Sequence, residues 1–212
     1  MELPFAVIAD ERRAIADLIA TLTPAQLSTP SLCGAWTVQD VATHLLVGPT
    51  ASIGEFLGVM VRARGRFPRA NDLMVDNRRH LDRDALAAEL RRVAQSRFTP
   101  PGFDWHAPLA DLRVHALDIT VPLGLTLGVP REPWGEVLEF LLTRKAVGAF
   151  VPKGRPPLAV RATDLGWSGG EAGATEVAGP AAALGAALCG RTALLDDLEG
   201  PGAEAISRWL RA

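Results

Sequence analysis

The sequence predicts an α+β protein: a four-helix bundle over residues 1–128, followed by a small α/β C-terminal domain over residues 129–212. Three observations lead there. The first half repeats apolar residues at alternating spacings of three and four, the period of helices that bury one face. Past Gly128 the texture changes to short alternating segments and small-residue runs set off by Gly and Pro. The 212 residues, 48% hydrophobic and 22% charged, suffice for a sizeable core and exclude wholesale disorder.

Taken in order, Phe5, Ile8, Ile15, Ile19 and Leu22 mark a first amphipathic helix, with Arg12 as the one break in its apolar stripe. Thr23-Pro24 ends it, and residues 24–35, rich in Pro, Ser and Gly, read as a connection. Thr37 followed by Asp40 predicts a helix N-terminus, with the hydroxyl capping and the acid in the first turn. A second helix is predicted over 38–61, bent or broken at Pro49. Residues 70–97 form a polar, Arg-rich helical region, split near residues 82–84, and Pro100-Pro101-Gly102 is a break. A fourth helix is predicted over 108–123, with Pro108 in its first turn.

In the second half a helix is predicted over 132–150 and a linker over 152–157. Residues 158–163 alternate like a strand, and 175–178 suit its partner across the Gly-rich segment GWSGGEAG, read as a turn. Pro180 opens a small-residue helix that Gly190 terminates, and residues 203–210 make a last helix. Trp36 and Trp167 are expected to pack the start of the second helix and the strand turn. No internal repeat is visible.

Composition narrows the function classes. A net charge of −2 provides no general attraction to nucleic acid or to an anionic membrane, and neither is expected as a partner. No apolar run reaches the length of a membrane span, and the charges at residues 10–13 arrive too early for a signal-peptide core. Two cysteines, Cys33 and Cys189, make no disulfide framework and no zinc-type pairs. The expected setting is cytoplasmic. Walker-type loops, GxSxG elbows and dinucleotide fingerprints are absent. The pattern does not specify an oligomeric state.

The residues that carry chemistry lie on two of the predicted helices. A helix turns about 100° per residue, so Asp111, His115 and Asp118 fall within an arc of roughly 60°, beside the core stripe of Leu109, Leu112, Ala116 and Ile119. Asp111 and His115, four apart, stack on one face and can meet a common third point. His44 lies just outside the stripe of Val38, Val41, Ala42 and Leu45. If the bundle brings the two faces together, His44, Asp111 and His115 form a two-nitrogen, one-carboxylate metal site with open positions. The same spacing also serves a surface ion pair and a hydrogen-bonded core histidine, so spacing alone leaves both readings open. Zinc, iron and nickel all suit such a donor set, zinc foremost. His80 and His106 lie in solvated or loop stretches and take no role. Cys33 reads as a small side chain supporting a turn, with a nucleophilic thiol as the alternative. The arginines of NRRHLDR, residues 77–83, read as a solvated face or, alternatively, as a substrate clamp.

LCGAWTVQDVATHLL, residues 32–46, resembles the signature segment of the mycothiol-dependent maleylpyruvate isomerase family, within the wider DinB-like helical bundles. RVHALDITVPLG, residues 113–124, resembles that family's second metal-bearing helix. VRATDLGWSGG, EVAGPAAALGAALCGR and LEGPGAEAI are similar to its small C-terminal domain. The resemblance implies a divalent metal held by His44, Asp111 and His115, with Asp111 standing where the isomerase has Glu. That shorter arm leaves Asp118 and Asp40 as alternative carboxylates. The resemblance further implies a basic residue of the C-terminal domain facing the metal, for which Arg191 is the candidate catalytic group; a helix-end arginine meeting terminal carbonyls is its alternative role. The implied reaction uses mycothiol, a low-molecular-weight thiol, whose thiolate adds to a small electrophilic substrate, as an isomerase or as an S-transferase. Two other functions stand beside it: a non-catalytic binding or stress-associated protein of the same fold, and a hydrolase in which the metal activates water.

Overall fold

The computed structural model describes residues 3–211. The fold is α+β, and the chain divides into two compact units: Met1–Pro108 with Asp118–Gly128, and Leu109–Leu117 with Val129–Ala212. Among the described residues no helix is long and apolar enough to cross a membrane.

In the first unit, α1 (Leu3–Thr21) buries Ile8, Ile15 and Ile19 and packs on α6 (Arg83–Arg92), whose inner face is Leu86, Ala87 and Leu90. Arg12, the break in the α1 stripe, is itself buried. Its Nη1 donates to the carbonyls of Ala94 (3.1 Å) and Ser96 (2.7 Å), so it ties α1 to the chain leaving α6. The predicted connection after α1 contains one helical turn, α2 (Pro24–Leu27). Thr23 and Gln26 form a reciprocal capping box there, a signal the Pro and Ser content obscured.

The long second helix is two helices. α3 (Val38–Thr50) holds Pro49 in its last turn, and α4 (Ile53–Arg62) starts afresh at a Ser52 cap, so the break falls just beyond the proline. Proline has no N–H for the helix ladder and its ring crowds the carbonyl four residues earlier, which weakens the helix there. The Arg-rich region is α5 (Phe67–Asp76) and α6, with Asp82 capping the latter at Ala85 N (2.9 Å). α4 and α5 pack on each other around Val59, Ala63, Ala70 and Met74, and α5 and α6 both pack on α3. α7 (His106–Thr120) passes through both units as one unbroken helix; its first and last residues group with the first unit and its middle with the second.

In the second unit, α8 (Trp134–Leu142) is shorter than the predicted 132–150 helix. It gives way at Thr143 to a turn of 3₁₀ helix, Arg144–Ala146. Strand β1 (Leu158–Ala162) is central in a three-stranded sheet ordered β2-β1-β3. The Gly-rich segment is not only a turn, because β2 (Trp167–Gly170) lies inside it and pairs antiparallel with β1. β3 (Thr175–Gly179) does pair with β1, but in parallel, Val160 opposite Val177. The β1–β2 hairpin returns the chain to the starting end of β1, so the next strand necessarily runs in the β1 direction. α9 (Ala181–Leu188) covers β1 and β3 and packs on α8, where Gly185 leaves the Trp134 ring room that a Cβ would fill. Gly190 ends it at φ +85°, a conformation open to glycine. α10 (Pro201–Arg211) packs on β3.

Candidate metal centre

The local sequence sets the two helix faces. At the start of α3, Thr37 Oγ1 accepts from Asp40 N (3.2 Å) while Asp40 Oδ2 accepts from Thr37 N (3.0 Å), the reciprocal cap that Thr37 and Asp40 predict. With the helix start pinned, Val38, Val41, Ala42 and Leu45 are buried and His44 falls beside them, half-buried. Trp36, just before the cap, lays its ring 5.1 Å from the His44 ring at a 41° tilt and anchors itself by donating from Nε1 to Asp72 (3.0 Å). On α7, Leu109, Leu112, Ala116 and Ile119 are buried as the periodicity predicts. One turn apart on the neighbouring arc, His115 Nε2 and Asp111 Oδ1 approach to 3.4 Å.

The three residues converge. His44, Asp111 and His115 each offer a ligand atom, and all these atoms lie within 4.8 Å of one another. A group of this kind could hold one divalent cation. The donor chemistry fits as well: two imidazoles and a carboxylate suit a borderline divalent ion. The Asp111 side chain remains 35% exposed while that of His115 is 10% exposed, so the carboxylate edge of the cluster is open to solutes.

A second group shares His115. Cys33, His115 and Asp118 also bring ligand atoms within 4.8 Å of one another, and Asp118 is fully buried. Leu32 N donates to the Asp118 carbonyl (3.3 Å), which fastens the turn carrying Cys33 to α7. Cys33 does support that turn, its N–H donating to Ser31 Oγ (3.0 Å), but its thiol also stands beside the centre. Reasoning from the sequence offered a nucleophilic Cys33 as an alternative but did not foresee its grouping with His115 and Asp118. The Cys33–Gly34 turn precedes the capping signal by only three residues, and that proximity was the available clue.

Other candidates resolve differently. Asp40 is engaged by the cap and by Arg79 Nε (3.2 Å) and belongs to neither group. The arginines of residues 77–83 have partners within the chain: Arg78 pairs with Glu55 (2.7 Å) and donates to Thr50, Arg79 meets Asp40 and Asp76, and Arg83 meets Asp84. The Arg78 hydrogen bond holds the Glu55 carboxyl below its usual range, against the opposing effect of burial. His80 is exposed, and His106 stacks on Trp105 with Nδ1 2.8 Å from Asp104. Arg191 follows the Gly190 cap, and its Nη1 donates to the Cys189 carbonyl (2.7 Å), the helix-end contact that was its alternative role.

Comparison with known proteins adds two findings. Residues 8–99 match the family model described as the mycothiol maleylpyruvate isomerase N-terminal domain. Two crystal structures of mycothiol-dependent maleylpyruvate isomerase, one of them of a mutant, are similar in fold. The mutant shares 14% identity at a TM-score of 0.57 and the other 16% at 0.56, each alignment covering 95% of this chain and 93% of the other. Among curated proteins none matches significantly.

Proposed function

We propose, from the match of residues 8–99 to the mycothiol maleylpyruvate isomerase N-terminal domain model, that the protein is a metal- and mycothiol-dependent enzyme acting on a small electrophile, as an isomerase or an S-transferase. The observation that carries the proposal is the meeting of His44, Asp111 and His115, three residues that suit one divalent ion. On this reading residues 1–128 form the metal-binding bundle and 129–212 the small domain that completes the enzyme.

The roles follow from the residues. His44 and His115 supply neutral imidazole nitrogens and Asp111 a carboxylate, with zinc the ion these donors suit best. When bound, such an ion lowers the pKa of a thiol at its open position, so that a thiolate is present near neutral pH. Trp36 restrains the His44 ring from one side. Asp118, buried and with a carboxylate oxygen within 4.8 Å of a His115 ring nitrogen, is the group proposed to orient that imidazole, as carboxylates behind metal-binding histidines do. A thiolate held there would supply a nucleophile for one carbon of an electron-poor double bond, the displaced electron pair passing to the neighbouring enolate. Return of that pair with loss of the thiolate after rotation would give an isomer, and protonation of the enolate with the carbon–sulfur bond retained would give a transfer product. Arg191 is the group proposed to hold a substrate carboxylate or a developing enolate, for which a planar fork is suited. A cytoplasmic setting accords with a reduced thiol as co-substrate.

The test has two parts. Metal content of the purified protein is measured beside His44→Ala and His115→Ala; the proposal expects stoichiometric metal in the first and its loss in both variants. Absence of metal from all three removes the basis for catalysis. Mass spectrometry of an electrophile incubated with mycothiol and the enzyme then separates the chemistries: a thiol adduct or an isomerised product supports this reading, whereas addition of water alone assigns a hydrolase.

A further inference from the structure

The corner between α4 and α5 breaks the burial rule in the direction opposite to the metal centre. Ile53, Leu57 and Val61 are 81%, 59% and 79% exposed and, one turn apart from each other, form a stripe within an arc of roughly 80° on α4. Val59 and Ala63, on the other side of α4, are buried against α5, so the apolar surface of the helix extends well beyond what the fold uses. Phe67, 55% exposed, adds a further exposed apolar residue at the start of α5, just past the turn that follows α4. These four are most of the large exposed apolar residues among the described ones. Isolated exposed aliphatics need no explanation, but a contiguous patch marks an interaction surface.

Charge surrounds the same patch. Residues 62–69, RARGRFPR, carry Arg62, Arg64, Arg66 and Arg69, and no acid occurs between Glu55 and Asp72. All four arginines are exposed, and among the described residues none takes part in an ion pair. Arg62 and Arg64 suit the C-terminal end of α4, but Arg66 and Arg69 do the opposite. Arg66 is the N-cap of α5 without a side-chain cap bond, and Arg69 is in its first turn, which holds no acid. Positive charge at a helix N-terminus is destabilising, so folding does not account for these two. Arg64, with φ +53°, turns the chain between the helices.

We infer that this corner docks the protein on an anionic lipid surface, with Ile53, Leu57, Val61 and Phe67 entering the headgroup boundary and Arg62, Arg64, Arg66 and Arg69 meeting lipid phosphates. The chemistry of the patch selects this occupant over others. A second copy of the chain would bring like-charged arginine clusters together. A nucleic acid would use the arginines but would gain little from three aliphatic side chains, since its bases stack on aromatic ones. An exposed helix face with an apolar stripe and basic flanks suits a bilayer boundary. The net charge of −2 hides this local excess because acids elsewhere balance it.

Flotation of the full chain with vesicles tests the inference. It predicts binding to phosphatidylcholine mixed with phosphatidylglycerol, weak binding to phosphatidylcholine alone, and loss of binding as salt rises. Each arginine near such a surface contributes about fivefold, so Arg62→Gln with Arg66→Gln should weaken binding by about 25-fold. Leu57→Ser with Val61→Ser should weaken it at least about tenfold. All four positions are exposed, so unchanged thermal melting shows that the variants fold. No flotation with anionic vesicles, or equal flotation of the variants, overturns the inference. So does sedimentation showing a dimer that Leu57→Ser with Val61→Ser dissociates, or an oligonucleotide that binds the corner more tightly than the vesicles do.

Discussion

Helices α3 and α4 are separated only by Ala51 and Ser52, and each begins with a hydroxyl cap, Thr37 Oγ1 accepting from Asp40 N and Ser52 Oγ from Glu55 N. Their surroundings then diverge. α3 buries most of its length and turns an imidazole toward two residues of α7. α4 buries only Val59 fully and turns aliphatic side chains to solvent. Equivalent local signals start both helices; the difference arises from what each packs against. In both, the residues that depart from apolar-in, polar-out are the ones that folding does not require, which is why they point to ligands.

The comparison breaks most sharply at the histidines. His44→Ala or His115→Ala should abolish stoichiometric metal while leaving α4 unaffected, as elemental analysis and vesicle binding together would report. Asp111→Asn compared with Asp118→Asn sharpens the assignment. Loss of the ligand carboxylate should remove metal, and loss of a supporting carboxylate should weaken affinity about 10–100-fold, read by metal titration.

Arg12→Ala is the control for a buried cation with a purely structural role. It leaves the Ala94 and Ser96 carbonyls without their donor and should cost about 3 kcal/mol in urea denaturation, with metal content unchanged. Glu55→Gln acts at the junction of the two helices, where Arg78 binds both Glu55 of α4 and Thr50 of α3. It should cost about 1 kcal/mol at neutral pH. Because the folded-state pKa of Glu55 is depressed, its contribution is present above the ordinary value of 4.5 and disappears as pH falls through the lower folded value. The wild type and Glu55→Gln should therefore converge in stability only below that pH. The smallest effect is expected for Ile53→Ser, within about 0.5 kcal/mol of wild type, since that side chain is exposed and packs on nothing the fold needs. A large loss there would mean that α4 has a partner within the folded chain.

Much of this was legible in the sequence and some was not, for identifiable reasons. The helix start at Thr37, the split of the Arg-rich region near residues 82–84, the stop at Gly190 and the faces of α1 and α7 came out as read. Caps and apolar periods act within a few residues, so they are written locally. The candidate ligands were legible by the same logic on α7, where Asp111 and His115 share a face. The parallel pairing of β3 with β1 was not, because strand pairing depends on partners distant in the chain. β2 was hidden by its glycines, which read as a turn and yet sit in a strand where the Trp167 ring covers Gly169.

By itself the sequence determined which stretches are helical, which faces are apolar, and that two imidazoles and an acid lie beside buried stripes on two separate helices. Only the tertiary structure decided that Arg12 is a buried tie, that Cys33 stands next to His115, and that the apolar surface of α4 is left uncovered. The physical reason is the range of the interactions. Helix periodicity and capping are settled among neighbours in sequence, whereas burial, ligand convergence and strand partnership are settled by residues tens of positions away, brought together by packing.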